Sequence, residues 1–322
     1  MQHNIISNHS KFLEGFIKGF QRVVISLSGL ALGFATGLTA VAGSPGVQVV
    51  YTDSQAAILR TDVGSGAAAV LSAGQKLVQP LGIAAGANGE FFITDTGCGG
   101  IIGVNPRTGE QRLVASGGAL GVPFGIAVER GGSLVVANGS TLVRVDPVTG
   151  ASAVVSSNQF FQAPIAAAVA PDGDIYVVDA LGAVIRVDAV TGHQNLLARG
   201  IFLHRPQGIA VRGAHIYVTD VATADGNFGV GRIVHIDRQS GAQRIVSQGQ
   251  NLVGPVGITI AEAGQLIVGD PYTINEQSAD LFDGAILVVD ATTGAQNVVL
   301  RGSADFVNPR CVAIVPTQGS TH

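Results

Sequence analysis

Pro206-Gln-Gly-Ile-Ala-Val-Arg-Gly-Ala-His-Ile-Tyr-Val-Thr-Asp220, followed by Arg232-Ile-Val-His-Ile-Asp237 and a turn at Ser240-Gly241, is one copy of a unit that recurs along the chain. Its apolar runs are short, rich in β-branched residues and separated by Gly-containing turns, so each reads as a strand. A fourth run follows the Ser-Gly turn. Counterparts of the opening stand at Pro80 (Pro-Leu-Gly-Ile-Ala-Ala), Pro123 (Pro-Phe-Gly-Ile-Ala-Val), Pro164 (Pro-Ile-Ala-Ala-Ala-Val), Pro255 (Pro-Val-Gly-Ile-Thr-Ile) and Pro309 (Pro-Arg-Cys-Val-Ala-Ile). The spacings are 43, 41, 42, 49 and 54 residues. A period in the forties with four short strands is the mark of a propeller, one blade per period.

The strands lack strict alternation because a blade is covered on both faces by its neighbours. Small residues at Gly82, Ala84, Gly125, Ala127, Gly208 and Ala210 fall where blades crowd near the axis. The ends complete the count. Residues 47–53, 57–62 and 67–72 match strands two to four with no Pro-led strand before them, and Pro309 opens a Pro-led strand with nothing after it. Together they make a sixth blade that leaves no open sheet edge. The expectation is one all-β, six-bladed domain over residues 43–322. With 45 glycines, 47% hydrophobic and 12% charged residues, the composition fits many buried strands joined by tight turns.

Residues 1–42 differ. Lys11, Lys18 and Arg22 precede an uncharged run from Val23 to Gly43 that contains Ala40-Val41-Ala42, the three parts of a secretory signal peptide. The domain is therefore expected outside the cytoplasm, periplasmic or extracellular. An uncleaved anchor is the alternative, since about 20 apolar residues span a bilayer. Without the leader the net charge is about −6, which argues against nucleic acid or an anionic membrane surface as partner. Membrane contact is expected only through the leader, and the domain is expected to be a monomer.

The pieces Pro-x-Gly-Ile-Ala-Val, Ile-Tyr-Val-x-Asp and Arg-Val-Asp-x-x-Thr-Gly resemble NHL-type repeats of six-bladed propellers, over about Val47 to Pro316. The resemblance implies the architecture and leaves several activities open: binding scaffolds, extracellular sensor domains, gluconolactonase-like hydrolases and peptidyl-hydroxyglycine lyases. The gluconolactonase-like family sets metal-binding side chains at the mouth ends of its inner strands. Here the matching positions are Leu81, Phe124, Ile165, Gln207, Val256 and Arg310, mainly apolar. Such a mouth suits an organic ligand or a peptide at least as well.

In a propeller the Pro-led strand starts, and the second strand ends, on one face, the mouth. Asp53, Asp95, Asn138, Asp179, Asp220 and Asp270 end the second strands. Such residues either accept hydrogen bonds from the turn beside them or ring a hard cation such as calcium, and recurrence in every blade favours the first. Symmetry is broken by long loops after Asp220 and Asp270. These carry Asp225, Asn227 and Phe228, then Tyr272, Asn275, Asp280 and Asp283. With Gln207, Asp220 and Asp270 they form the expected ligand-binding set, and Asp220, Asp270 and Asp283 are the candidate metal ligands. Of the histidines after the leader only His204 falls at the mouth, which disfavours a three-histidine zinc site. A catalytic reading takes His204 as general acid or base with Arg205 or Arg310 stabilising an oxyanion.

Cys98 and Cys311 both map to the mouth of neighbouring blades. In an oxidising compartment topology predicts a Cys98–Cys311 bridge tying the last strand to the ring. The expected function is a binding module for a small molecule or peptide. The alternative is a hydrolase or lyase at the same face, with a divalent ion as its cofactor.

Overall fold

A computed structural model describes residues 46–221, 230–261, 264–272, 284–302 and 308–316. All of them belong to one compact unit, Ala40–His322, and they contain no α-helix. Blade 1 begins with β1 (Gln48–Asp53), β2 (Ala57–Asp62) and β3 (Ala68–Ala73). Blade 2 holds β4 (Pro80–Ala85), β5 (Phe91–Asp95), β6 (Gly100–Val104) and β7 (Gln111–Ser116). Blade 3 holds β8 (Pro123–Val128), β9 (Leu134–Asn138), β10 (Thr141–Val145) and β11 (Ser152–Ser157). Blade 4 holds β12 (Pro164–Val169), β13 (Ile175–Asp179), β14 (Ala183–Val187) and β15 (Gln194–Arg199). Blade 5 holds β16 (Pro206–Arg212), β17 (His215–Asp220), β18 (Arg232–Asp237) and β19 (Gln243–Gln248). Blade 6 holds β20 (Gly257–Ile260), β21 (Gln265–Asp270), β22 (Ala285–Asp290) and β23 (Gln296–Arg301). The last strand, β24 (Pro309–Ile314), is the inner strand of blade 1.

Every sheet has four antiparallel strands, and the closing blade has the order β24-β1-β2-β3. Its register runs Val49↔Ile314, Val50↔Ala313 and Tyr51↔Val312, with a bulge before Asp53↔Pro309. The two ends of the domain are thus held by one ladder, as the sequence predicts.

Six apolar clusters lie between successive blades, and they explain why the strands are apolar throughout. Val49 and Tyr51 pack toward blade 6 with Ile267 and Ile286, while Val50 between them packs toward blade 2 with Ile83, Phe91 and Ile93. Alternate residues do face opposite ways, but both ways lead into a core.

Polar side chains join the same interfaces. Asp62, Asn105, Asp146, Asp188, Asp237 and Asp290 each accept backbone N–H bonds two and three residues on, making the far-face turns after the third strands. The glycine that ends such a turn has two reasons to be glycine. Gly192 has φ +71°, and a Cβ there would overlap the Val155 carbonyl oxygen of the preceding blade. From the same corner, Gln194 is bolted into blade 3: its Nε2 donates to Ser156 Oγ at 2.9 Å and its Oε1 accepts from Phe160 N at 2.9 Å. Gln111 and Gln296 repeat the arrangement against blades 1 and 5.

Threonines do the equivalent work near the axis. Thr52, Thr94 and Thr219 are fully buried, one residue before the second-strand Asp. Thr219 Oγ1 accepts from Gly208 N at 2.8 Å and donates to the Val256 carbonyl of the next blade at 2.9 Å. Thr52 does the same between Cys311 N and Leu81 O, and Thr94 between Gly82 N and Phe124 O.

Candidate functional site at the mouth of the ring

The second-strand carboxylates are structural. Asp95 accepts from Val78 N at 2.7 Å, Gln79 N at 3.0 Å, Gly97 N at 2.9 Å and Cys98 N at 3.0 Å. It thereby ties the segment entering the inner strand to the turn leaving the second strand. Asp179 does so with Gln162, Ala163 and Leu181, and Asp53 with Gln55 and Asn308. In blade 3 Asn138 substitutes, accepting from Gly121 N and donating to the Ala119 carbonyl. All six side chains are buried. The capping reading therefore describes them better than a ring of metal ligands.

Asp220 and Asp270, the described members of the candidate metal set, cap their blades in the same way. Asp220 accepts from His204 N at 2.7 Å and Arg205 N at 2.9 Å; Asp270 accepts from Val253 N at 2.8 Å, Gly254 N at 3.1 Å and Tyr272 N at 2.9 Å. Both oxygens of Asp270 and Oδ2 of Asp220 are engaged by amides inside the blade, Asp220 Oδ1 faces Arg232, and both residues have zero exposure. No cluster of three metal-ligating side chains occurs among the described residues. Burial pushes the Asp270 carboxyl up to about 6, against the pull of its three amide donors. Asp225, Asn227, Phe228, Asn275, Asp280 and Asp283 lie outside the described residues.

The cysteines also depart from expectation: both are free thiols. Cys98 is exposed on the turn between β5 and β6, its Sγ turned back to the Asp95 carbonyl at 3.7 Å. Cys311 is on an inner strand, packed against the apolar cluster between blades 1 and 2. Cys98 thus lies in a turn between the second and third strands of blade 2, whereas Cys311 lies on the inner strand of blade 1. Cys311 is half-buried, and burial pushes its thiol up to about 11.

Two groupings remain at the mouth. The first surrounds Arg232, which opens β18. Its counterparts in the other blades are Ala57, Gly100, Thr141, Ala183 and Ala285, all small. Arg232 is buried, its Nε 3.5 Å from Asp220 Oδ1 and its guanidinium 3.2 Å from His204 Nδ1. An arginine only donates, so His204 Nδ1 is the acceptor in this contact. Sequence alone picks out His204 but not Arg232, although a bulky cation in a row of small residues is a readable signal.

The second grouping is Arg310 with Tyr272. Arg310 is half-buried, and burial lowers its guanidinium from the usual range while Tyr272, Cys311 and Asp53 act to sustain its charge. Tyr272 packs over Gly254, where a Cβ would strike the ring. Gln207, also half-buried, donates to the Arg205 carbonyl at 3.2 Å. Among the six equivalent inner-strand positions, Leu81, Phe124, Ile165 and Val256 are apolar and Gln207 neutral, so Arg310 alone is charged.

No family model and no curated protein matches this sequence. Solved structures do match in fold. A crystal structure of a nidogen/laminin complex contains a chain with TM-score 0.69 and 14% identity, covering 85% of this chain and 100% of that one. Virginiamycin B lyase from Staphylococcus aureus aligns with TM-score 0.51 and 16% identity, covering 68% of this chain and 69% of that one. In fold, then, the chain is a six-bladed β-propeller.

Proposed function

We propose that the chain is an exported binding module whose mouth takes a small molecule or a peptide segment bearing a carboxylate. The observation that carries this reading is the uneven row Leu81, Phe124, Ile165, Gln207, Val256 and Arg310, apolar but for one glutamine and one cation. An apolar rim with one partly desolvated arginine suits an organic anion, because a guanidinium grips a carboxylate by two parallel hydrogen bonds and gains strength away from water. The similarity to a chain of a nidogen/laminin complex supports the idea that a propeller of this form serves as a protein-binding platform. Export, signal-peptide cleavage and a monomeric state belong to the same proposal.

Panning a random peptide library against the purified chain tests it. Enriched peptides should carry acidic residues and lose about tenfold affinity for an Arg310→Leu variant. Enriched peptides that bind wild type and variant equally would reject the mouth as the site.

The grouping of His204, Arg232 and Asp220 favours one second reading, a hydrolase or lyase at the same face. There the imidazole, gripped at Nδ1 by Arg232, offers its Nε2–H as a hydrogen-bond donor to an oxyanion developing on the substrate. Turnover of a lactone or of a virginiamycin-type substrate by wild type, abolished in His204→Ala, would establish it, and absence of turnover would remove it. Elemental analysis of the purified chain with melting before and after chelator tests the calcium alternative, since a bound ion raises the melting temperature.

A further inference from the structure

On the face opposite the mouth, blades 4 and 5 place different chemistry at matching positions. In blade 4, Asp174 precedes β13 and Arg186 is in β14, and they form an ion pair at 2.7 Å beside Tyr176. The corresponding residues of blade 5 are His215, His235 and Tyr217. Blades 2 and 3 also hold opposite-charge pairs on this face, sharing one position each: Glu90 before β5 with Arg112 of β7 at 2.6 Å, and Glu129 after β8 with Arg144 of β10 at 2.6 Å. Blade 5 replaces complementary charges with two like groups. Yet the two rings converge: His215 Nδ1 is 2.9 Å from His235 Nε2, with the Tyr217 ring centroid 5.3 Å from that of His235.

We propose that His215 Nδ1 and His235 Nε2 form a two-histidine site for a divalent transition-metal ion of the zinc, nickel and copper class, with water completing the coordination shell. At metal–nitrogen bonds of about 2.1 Å, two nitrogens separated by 2.9 Å subtend about 90° at the ion, the angle between adjacent ligands of an octahedral or square-planar centre. His215 is exposed at the start of β17, so an ion reaches the pair from solvent, while His235 is buried and held by the blade 5 ladder. Without metal the two nitrogens share one proton in a hydrogen bond. Binding moves that proton to the far nitrogen of its own ring, leaving His215 protonated on Nε2 and His235 on Nδ1, with no net release.

The surroundings bear on this in both directions. Burial first, then Arg244 and His215, lower the proton affinity of His235, while Asp237 acts to raise it. Arg244, opposite His235 in the ladder, also repels a cation, whereas Asp237, opposite His215, attracts one.

Zinc titrated calorimetrically into the full chain near neutral pH, with long-range imidazole NMR spectra in parallel, tests the proposal. Expected are one saturable equivalent and simultaneous shifts of the His215 and His235 ring nitrogens. Affinity should fall about tenfold or more in His215→Gln, and stay unchanged in His193→Gln, an exposed histidine of blade 4. His215→Gln alters only an exposed side chain, and a melting temperature equal to wild type without metal confirms that its fold is intact. Equal zinc affinity in wild type and His215→Gln, or no saturation up to about 1 mM zinc, overturns the proposal.

Discussion

Asp95 shows how much of one blade hangs on a single side chain. Four amide donors converge on it in a buried corner, and in blade 3 an asparagine fills the same role. Asp95→Asn should therefore be mild, while Asp95→Ala, which orphans the donors, should cost about 3 kcal/mol or more in denaturant unfolding. Equal losses in the two variants would show that the amides do not depend on the carboxylate. Asp270 adds a pH signature. Its folded pKa, about 6, lies above the ordinary 3.8. Between those values the folded chain keeps a proton that the unfolded chain has lost, so this group's contribution is intact below pH 4 and lost as pH rises through 6. The full effect is on the order of 3 kcal/mol. Asp270→Asn should flatten the fall of melting temperature across that window, and an unchanged profile would refute the assignment.

Among the elements, the turn between the third and fourth strands is where each blade locks onto the one before it. Gly192→Ala forces a side chain into a left-handed backbone and against the Val155 carbonyl, so it should cost at least about 2 kcal/mol. Gly213, with φ +58° and open space around it, should lose less on the same change, and calorimetric melting of the two variants makes the comparison. The Thr-Gly signature is legible in sequence because it recurs in most blades. The partners of Gln111, Gln194 and Gln296 are not, since each reaches a neighbouring blade 34 to 49 residues away. The same limit hides the approach of His215 to His235: one reads as a turn residue and the other as a strand residue, and only the diagonal of the ladder brings them together. Likewise the sequence assigns Cys98 and Cys311 to one face but not the separate environments that leave both thiols free.

For the whole molecule, the decisive feature is closure. β24 gives blade 1 its inner strand, Asn308 N reaches Asp53, and Cys311 N reaches Thr52. A chain ending at Gly302 leaves β1 with an open edge and the interfaces to blades 2 and 6 incomplete. It should lose cooperative melting or aggregate, and a truncated chain that melts like the full domain would show that the ring does not need its last strand. The blade count and this closure follow from repeat spacing, because each blade must find neighbours for two apolar faces. The mouth is less legible, because what distinguishes it is departure from the repeat: Arg232 among small residues, Arg310 among apolar ones. Amide hydrogen exchange of the chain with and without a peptide enriched by panning tests the mouth most directly. Protection should gather in the segments entering the inner strands, around residues 78–82, 203–208 and 308–311, with none at the far-face turns 105–109 and 188–192. Protection confined to those turns or to the outer strands would contradict binding at the mouth.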